Sequence, residues 1–180
     1  MLEISPIVFL ERECMISAKV EDAVNEQINA EQYSAHLYLA IAAYFSRLGL
    51  SGFASWFCVQ AAEENSHAMQ FFDFLVERGG TVKLMSIQRP EFEECGVDRS
   101  IEFALEHERF ITSRINALCD LAISEGDRAS LLFFHKLIRE QVQEEAQIEE
   151  ILAKLRIING TGSGLFFLDS QMGKRQMRPQ

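Results

Sequence analysis

Read at alternating steps of four and three, the inward positions between residues 17 and 158 form four long stripes, the spacing of one face of an α-helix. The first is Val24, Ile28, Glu31, Ala35, Tyr38, Ala42 and Phe45; the second is Phe53, Phe57, Gln60, Glu64, His67, Phe71 and Phe74. The third is Ile101, Leu105, Glu108, Thr112, Ile115 and Cys119, and the fourth is Phe134, Leu137, Gln141, Glu144, Ile148, Ile151 and Leu155. Glycine and polar clusters at Gly49 to Gly52, Gly79-Gly80, Gly96 to Asp98, Gly126-Asp127 and Asn159 to Gly164 separate the stripes. The pattern predicts helices of about 29, 27, 28 and 31 residues, then a short fifth one. Ser17, Ser51, Asp98 and Asp127 stand where N-caps belong, and Gly79, Gly126 and Gly160 stand near helix ends. Prolines occur only at positions 6, 90 and 179, so long helices are favoured over a sheet and the fold class is all-α.

The connections between helices one and two, and between three and four, are short enough to make each pair an antiparallel hairpin. Between the pairs runs Gly79 to Val97, 19 residues. At about 3.3 Å per residue this segment can reach roughly 60 Å, against a helix length of about 40 Å. The expected architecture is a four-helix bundle with one long crossover and a short fifth helix.

Each stripe carries polar chemistry at a similar depth. Glu31 lies about 18 residues before the first turn and Glu64 about 15 after it, a mismatch of ~5 Å. Glu108 lies about 18 before the second turn, with Gln141 and Glu144 about 15 and 18 after it. Together with His67, six side chains converge on one layer. A single inward Glu could be a satisfied core carboxylate or a mis-phased helix. Four uncompensated carboxylates in one layer would be prohibitive. No Lys or Arg occupies the stripes, so no internal counter-ion is expected, whereas two divalent cations balance four carboxylates. Carboxylate oxygens with one imidazole suit Fe or Mn, and thiolates that would select zinc or copper are absent from the layer. His36, His107 and His135 fall off the stripes and are expected to face solvent or a partner.

Composition narrows the class further. The chain has 180 residues, 48% hydrophobic and 24% charged, as in water-soluble globular domains. With 17 Lys plus Arg against 27 Asp plus Glu the formal charge is −10, which disfavours a nucleic-acid partner and suits metal cations. The longest uncharged stretches are too short for a membrane span. Residues 1–14 lack the basic start of a secretion signal, so a cytoplasmic protein is expected. Met15 could be an alternative start or mark where the folded region begins. The cysteines at 14, 58, 95 and 119 form no CxxC pair and are read as reduced thiols. The domain organisation predicted is an extension over 1–14, one domain over 15–172 and a tail over 173–180.

From about Met15 to Gln171 the chain resembles the bacterial non-haem ferritins. Asn25-Glu26-Gln27-Ile28-Asn29-Ala30-Glu31 with Tyr33-Ser34 and Tyr38, then Glu63-Glu64-Asn65-Ser66-His67, Glu106-His107-Glu108, and Glu140-Gln141 with Glu144 look like that family's ferroxidase signature. Gly162 to Asp169 looks like its turn into the fifth helix. The resemblance implies an iron-storage protein that oxidises Fe(II) with O2 or H2O2 and keeps Fe(III) mineral inside a 24-subunit homo-oligomeric cage. It implies that Glu31, Glu64 and His67 hold one iron, that Glu64 bridges, that Glu108 and Glu144 hold the second, and that Gln141 positions an oxygen species or a water. Tyr38 matches the family's tyrosine near the centre, where it could donate an electron or a hydrogen bond or serve as plain core packing.

A weaker third iron site is implied at Glu63, Glu140 and Glu144. Family members often carry a further Glu where this chain has Gln143, so Glu63 and Glu140 could equally be acidic cavity lining. Haem is not expected, since helix four has Gln141 and Glu144 where a haem-bearing relative has a second Glu/His pair, and Asn65 stands at its haem-ligating Met. Two other readings remain at this point: a di-iron oxidase or peroxidase without a storage role, and a structural subunit of a mixed cage.

Overall fold

The computed structural model describes residues 16–158 and 162–175; the expected extension over 1–14, Cys14 and the helix end at Gly160 lie outside them. Five helices follow in order: α1 Ala18–Arg47, α2 Ser51–Glu77, α3 Val97–Ser124, α4 Arg128–Ile157 and α5 Gly162–Met172. The described residues contain no strand, and among them no helix is long and apolar enough to cross a membrane.

The helix starts divide by mechanism. Ser17 caps α1 by accepting from the Val20 amide, and Asp127 caps α4 by accepting from Ser130. Ser51 and Asp98 do not cap: α2 begins at Ser51 itself and α3 at Val97, with Leu50 and Gly96 in the cap positions and no side-chain hydrogen bond there. For α2 the missing acceptor comes from elsewhere in the fold. The Asp169 carboxylate of α5 accepts from the Phe53 amide at 2.9 Å, which satisfies one of the orphan donors of the first turn. Gly52 permits that approach, because a Cβ there would stand 1.7 Å from the Asp169 carbonyl oxygen.

Ion pairs at the bundle ends show the direction in which each helix runs. Lys19, at the start of α1, meets Glu125, just past α3, at 2.8 Å. Arg78, just past α2, grips Asp127, just before α4, with two hydrogen bonds of 3.0 and 3.1 Å. So α1 runs antiparallel to both α2 and α3, and α4 antiparallel to α2 and α3. This leaves α2 and α3 parallel, and residues 78–96 must return along the whole bundle. They do so against the outer side of α1. Asn25 donates to the Thr81 carbonyl and accepts from the Lys83 amide at 2.9 and 2.6 Å. Asn29 holds the Ser86 carbonyl, and the Tyr33 and Tyr44 hydroxyls accept from the amides of Glu91 and Gly96. A polar edge on α1 therefore satisfies the backbone of a segment with no ladder of its own.

The apolar interior falls into two clusters. One contains Phe45, Phe53, Phe57, Ile101, Ile148 and Leu168, the other Val24, Phe71, Leu75, Ile115, Phe134 and Leu137. Stacked rings, such as Phe45 on Phe57 with centroids 5.5 Å apart, fill the first. Between the two clusters lies a buried polar layer comprising Gln27, Glu31, Ser34, Gln60, Glu63, Glu64, Glu108, Gln141 and Glu144. Every stripe position on α1 and α4 is buried; Phe74 and His67 on α2 and Thr112 on α3 are half-buried.

Candidate metal centre

The sequence spacing that brings α1 and α2 level places Glu31, Glu64 and His67 together. One donor atom from each lies within 4.8 Å of the other two. Glu31 is 1% exposed. Its Oε1 accepts from Gln27 Nε2 at 2.8 Å, while its Oε2 has no hydrogen-bond partner among the described residues. A buried carboxylate oxygen left bare is costly, so the pattern of donors suits a proton or a cation at that oxygen. His67 Nδ1 stands 3.5 Å from Glu64 Oε2. The imidazole can offer a lone pair to a metal from there.

Glu108 and Glu144 face the same layer from α3 and α4 without joining that three-residue cluster. Tyr38 donates its hydroxyl to Glu108, and Gln141 donates to Glu108 Oε2 at 3.0 Å. Gln60 Nε2 donates to Glu144 Oε2 at 2.9 Å and to Glu64 Oε1 at 3.4 Å. Neutral groups thus hold Glu108 at both oxygens, Oε1 by Tyr38 and Oε2 by Gln141, while the Gln60 amide spans one oxygen each of Glu64 and Glu144. Tyr38 hydrogen-bonds as well as packing, since it is fully buried against Phe57.

Electrostatics follow from this crowding. Burial, reinforced by the Glu64 charge, raises the Glu31 carboxyl to about 8. Burial lifts Glu108 to about 7, against the pull of the Tyr38 and Gln141 donors. Burial and then the charge of Glu108 drive Glu64 well above the ordinary carboxylate range, and the same causes raise Tyr38. Near neutral pH the metal-free layer therefore holds protons that a divalent cation would displace.

On the flank of this layer the expectation of no internal counter-ion fails. Arg175, beyond α5 and outside every stripe, inserts its guanidinium into the acidic layer with its side chain 11% exposed. It pairs with Glu63, donates to Gln60 Oε1 at 2.5 Å, stands 3.9 Å from Glu144 Oε2 and lies 4.3 Å over the Trp56 ring. Spacing within four helices could not reveal it, because the side chain arrives from a segment that no stripe contains. Glu140 Oε2 has no hydrogen-bond partner among the described residues and stands 3.7 Å from His67 Nε2. Gln143 is exposed.

His36 and His135 are exposed as expected, but His107 is not. Its Nε2 lies 2.8 Å from Ser34 Oγ, its ring meets Tyr38 edge-on, and burial lowers its pKa to about 4, so it stays neutral. Gln27 is likewise off the stripe yet buried. It accepts from Arg114 Nε at 2.9 Å while donating to Glu31. The stripe of four and three misses both because it follows one line where the buried face is wider.

A sequence model of the family described as Ferritin-like domain matches residues 21–158. A bacterial non-heme ferritin of Bacteroides fragilis is 40% identical over 161 residues, 89% of this chain and 100% of that protein. A probable bacterial non-heme ferritin-like protein of Haemophilus influenzae is 36% identical over 159 residues, 88% of this chain and 96% of that protein. Among solved structures, a closed form of the Archaeoglobus fulgidus ferritin engineered by mutagenesis superposes with a TM-score of 0.88 at 45% identity, covering 91% of this chain and 99% of that one. The open-pore ferritin of the same archaeon gives 0.88 at 45%, covering 89% and 98%.

Proposed function

The chain belongs to the ferritin family, with its general role in iron storage and oxidation, and from that premise we propose that it is a cytoplasmic ferroxidase whose subunits oxidise Fe(II) in pairs and store the product in a hollow cage. Iron is the substrate here. Glu31, Glu64 and His67 bind one Fe(II), Glu64 bridges, and Glu108 with Glu144 binds the second. The observation that carries this reading is the Glu31–Glu64–His67 cluster, with its donor atoms within 4.8 Å of one another and a buried Glu31 oxygen that receives no hydrogen bond from an amide or hydroxyl among the described residues.

The chemistry asks little of the protein beyond position and charge. Two Fe(II) ions give up two electrons, and O2 takes them with two protons to become H2O2, or H2O2 takes them with two protons to become two waters. Glu31 and Glu108, raised to about 8 and about 7, surrender protons as metal arrives. Gln141, fixed by its bond to Glu108, offers a polar group to the oxidant or a water. Tyr38 supplies a hydrogen bond to Glu108 and holds that carboxylate in register. Two neutral amides, from Gln60 and Gln141, orient carboxylates without neutralising them, which leaves the negative charge for the metals.

Replacing the bridging carboxylate tests the assignment. Glu64→Ala should remove the rapid phase of Fe(II) oxidation in stopped-flow absorbance, a loss of roughly 10²-fold or more in initial rate, as expected when a dinuclear arrangement is dismantled. A variant that keeps the wild-type initial rate would overturn the ligand set.

A further inference from the structure

We propose that Arg175 is a resident cation for the pocket formed by Glu63 and Glu144, and that a metal ion enters this pocket only by displacing the guanidinium. The inference rests on the preceding reading of the layer as a metal centre. It starts from α2, where Gly52, Trp56, Gln60 and Glu63 recur at helical spacing and share one side of the helix. Asp169 docks on the Gly52 end of that face. Six residues later Arg175 reaches the other end, stacked on Trp56 and bonded to Gln60 and Glu63.

The contacts are those of a cation held in an anion's pocket, not of a solvated tail. Arg175, Glu63 and Glu144 side chains are 11%, 8% and 3% exposed. The guanidinium takes one oxygen of Glu63 and lies near Glu144 Oε2, the oxygens a metal would need. A guanidinium cannot lose its charge, so it leaves intact or not at all. Occupation by Arg175 and by a divalent ion are therefore mutually exclusive, and each weakens the other.

Arg175 acts as well through Gln60. By donating to Gln60 Oε1 at 2.5 Å it fixes which end of the amide faces inward, so that Nε2 points at Glu144 and Glu64, at 2.9 and 3.4 Å. Arg175 is thus a positioning residue for two of the proposed ligands and a limit on how many metals the layer holds. Its departure is visible, because Trp56 is the single tryptophan of the chain.

The test titrates the assembled, iron-free protein with Zn(II), which has no redox chemistry, while following heat and Trp56 emission. Arg175→Ala and Arg175→Gln should each bind one more equivalent per subunit than wild type in the same concentration range, with the added equivalent at least about tenfold tighter than in wild type, where it appears late. Arg175→Lys should remain like wild type. Wild type should show an emission step coincident with that late equivalent, and Arg175→Ala should show none. Adding Glu63→Gln to Arg175→Ala should abolish the added equivalent. Identical isotherms for wild type and both neutral variants, or an added equivalent that survives Glu63→Gln, overturns the proposal. A wild-type isotherm unaltered by Glu64→Ala would instead refute the ligand set of the centre, so the two failures are distinguishable.

Discussion

At the scale of residues, the centre is a set of carboxylates that the fold forces to share one dry layer, and its cost should be measurable in the metal-free protein. Glu31 rises from 4.5 to about 8 and Glu108 from 4.5 to about 7. A carboxyl raised on folding binds more protons in the native than in the unfolded state between its two pKa values, so stability falls as pH rises through that window. The window here runs from about 4.5 to about 8. Each tenfold change in proton affinity is worth ~1.4 kcal/mol, so the combined loss is several kcal/mol. Chelator-treated protein should melt several degrees lower at pH about 8.5 than at pH about 5.5, and saturating Zn(II) should remove most of that difference. A metal-free melting temperature that rises over this range would count against the burial of these groups. The same protons should be released on metal uptake, which calorimetry in buffers of different ionisation enthalpy would register.

At the scale of elements, the short fifth helix completes the second. The first turn of α2 lacks a local cap and borrows the Asp169 carboxylate. Asp169→Ala should cost about 1–2 kcal/mol in denaturant unfolding, the usual loss of an N-cap, with Asp169→Asn milder. Gly52→Ala should be worse than either, since its new methyl group would overlap the Asp169 carbonyl. An unchanged midpoint for Gly52→Ala would show that α5 does not dock there in solution. The crossover depends on α1 in the same way. Asn25 is 3% exposed and serves residues 81 and 83 with both ends of its amide. Asn25 and Asn29 belong to the same run of sequence as Glu31, yet they hold the chain's return path rather than metal.

At the scale of the molecule, one subunit leaves apolar side chains in water: Leu132, Ile157, Phe166 and Phe167 are 74%, 81%, 77% and 67% exposed. Exposed apolar surface of this kind marks surfaces that meet a partner. In the proposed 24-subunit cage copies of the same chain would cover it. Light scattering at neutral pH should return about two dozen times the 20.5 kDa of one chain, and a monomer or dimer there would exclude storage in a cage. The formal charge of −10 per subunit would then be multiplied around a closed cavity and raise the local concentration of cations, an attraction that salt screens.

Helical periodicity was enough to determine four helices, their approximate lengths, the crossover and the level at which Glu31, Glu64, His67, Glu108, Gln141 and Glu144 converge. This is so because a 3.6-residue repeat converts spacing into a face, and turn positions convert residue count into depth. Fold class and family were legible for the same reason. Contacts between segments far apart in sequence leave no periodic trace, and those were decided by the tertiary structure alone. Asp169 replaces the cap expected from Ser51, His107 turns inward against Ser34 and Tyr38, and Gln27 and Gln60 orient carboxylates from positions whose polarity alone says nothing. Arg175 shows the limit most clearly. The stripes contain no cation for the layer, whereas the docking of α5 on α2 carries one in from residue 175. A buried charge takes its partner from whatever the fold brings within a few ångströms, and that distance is not written in the sequence.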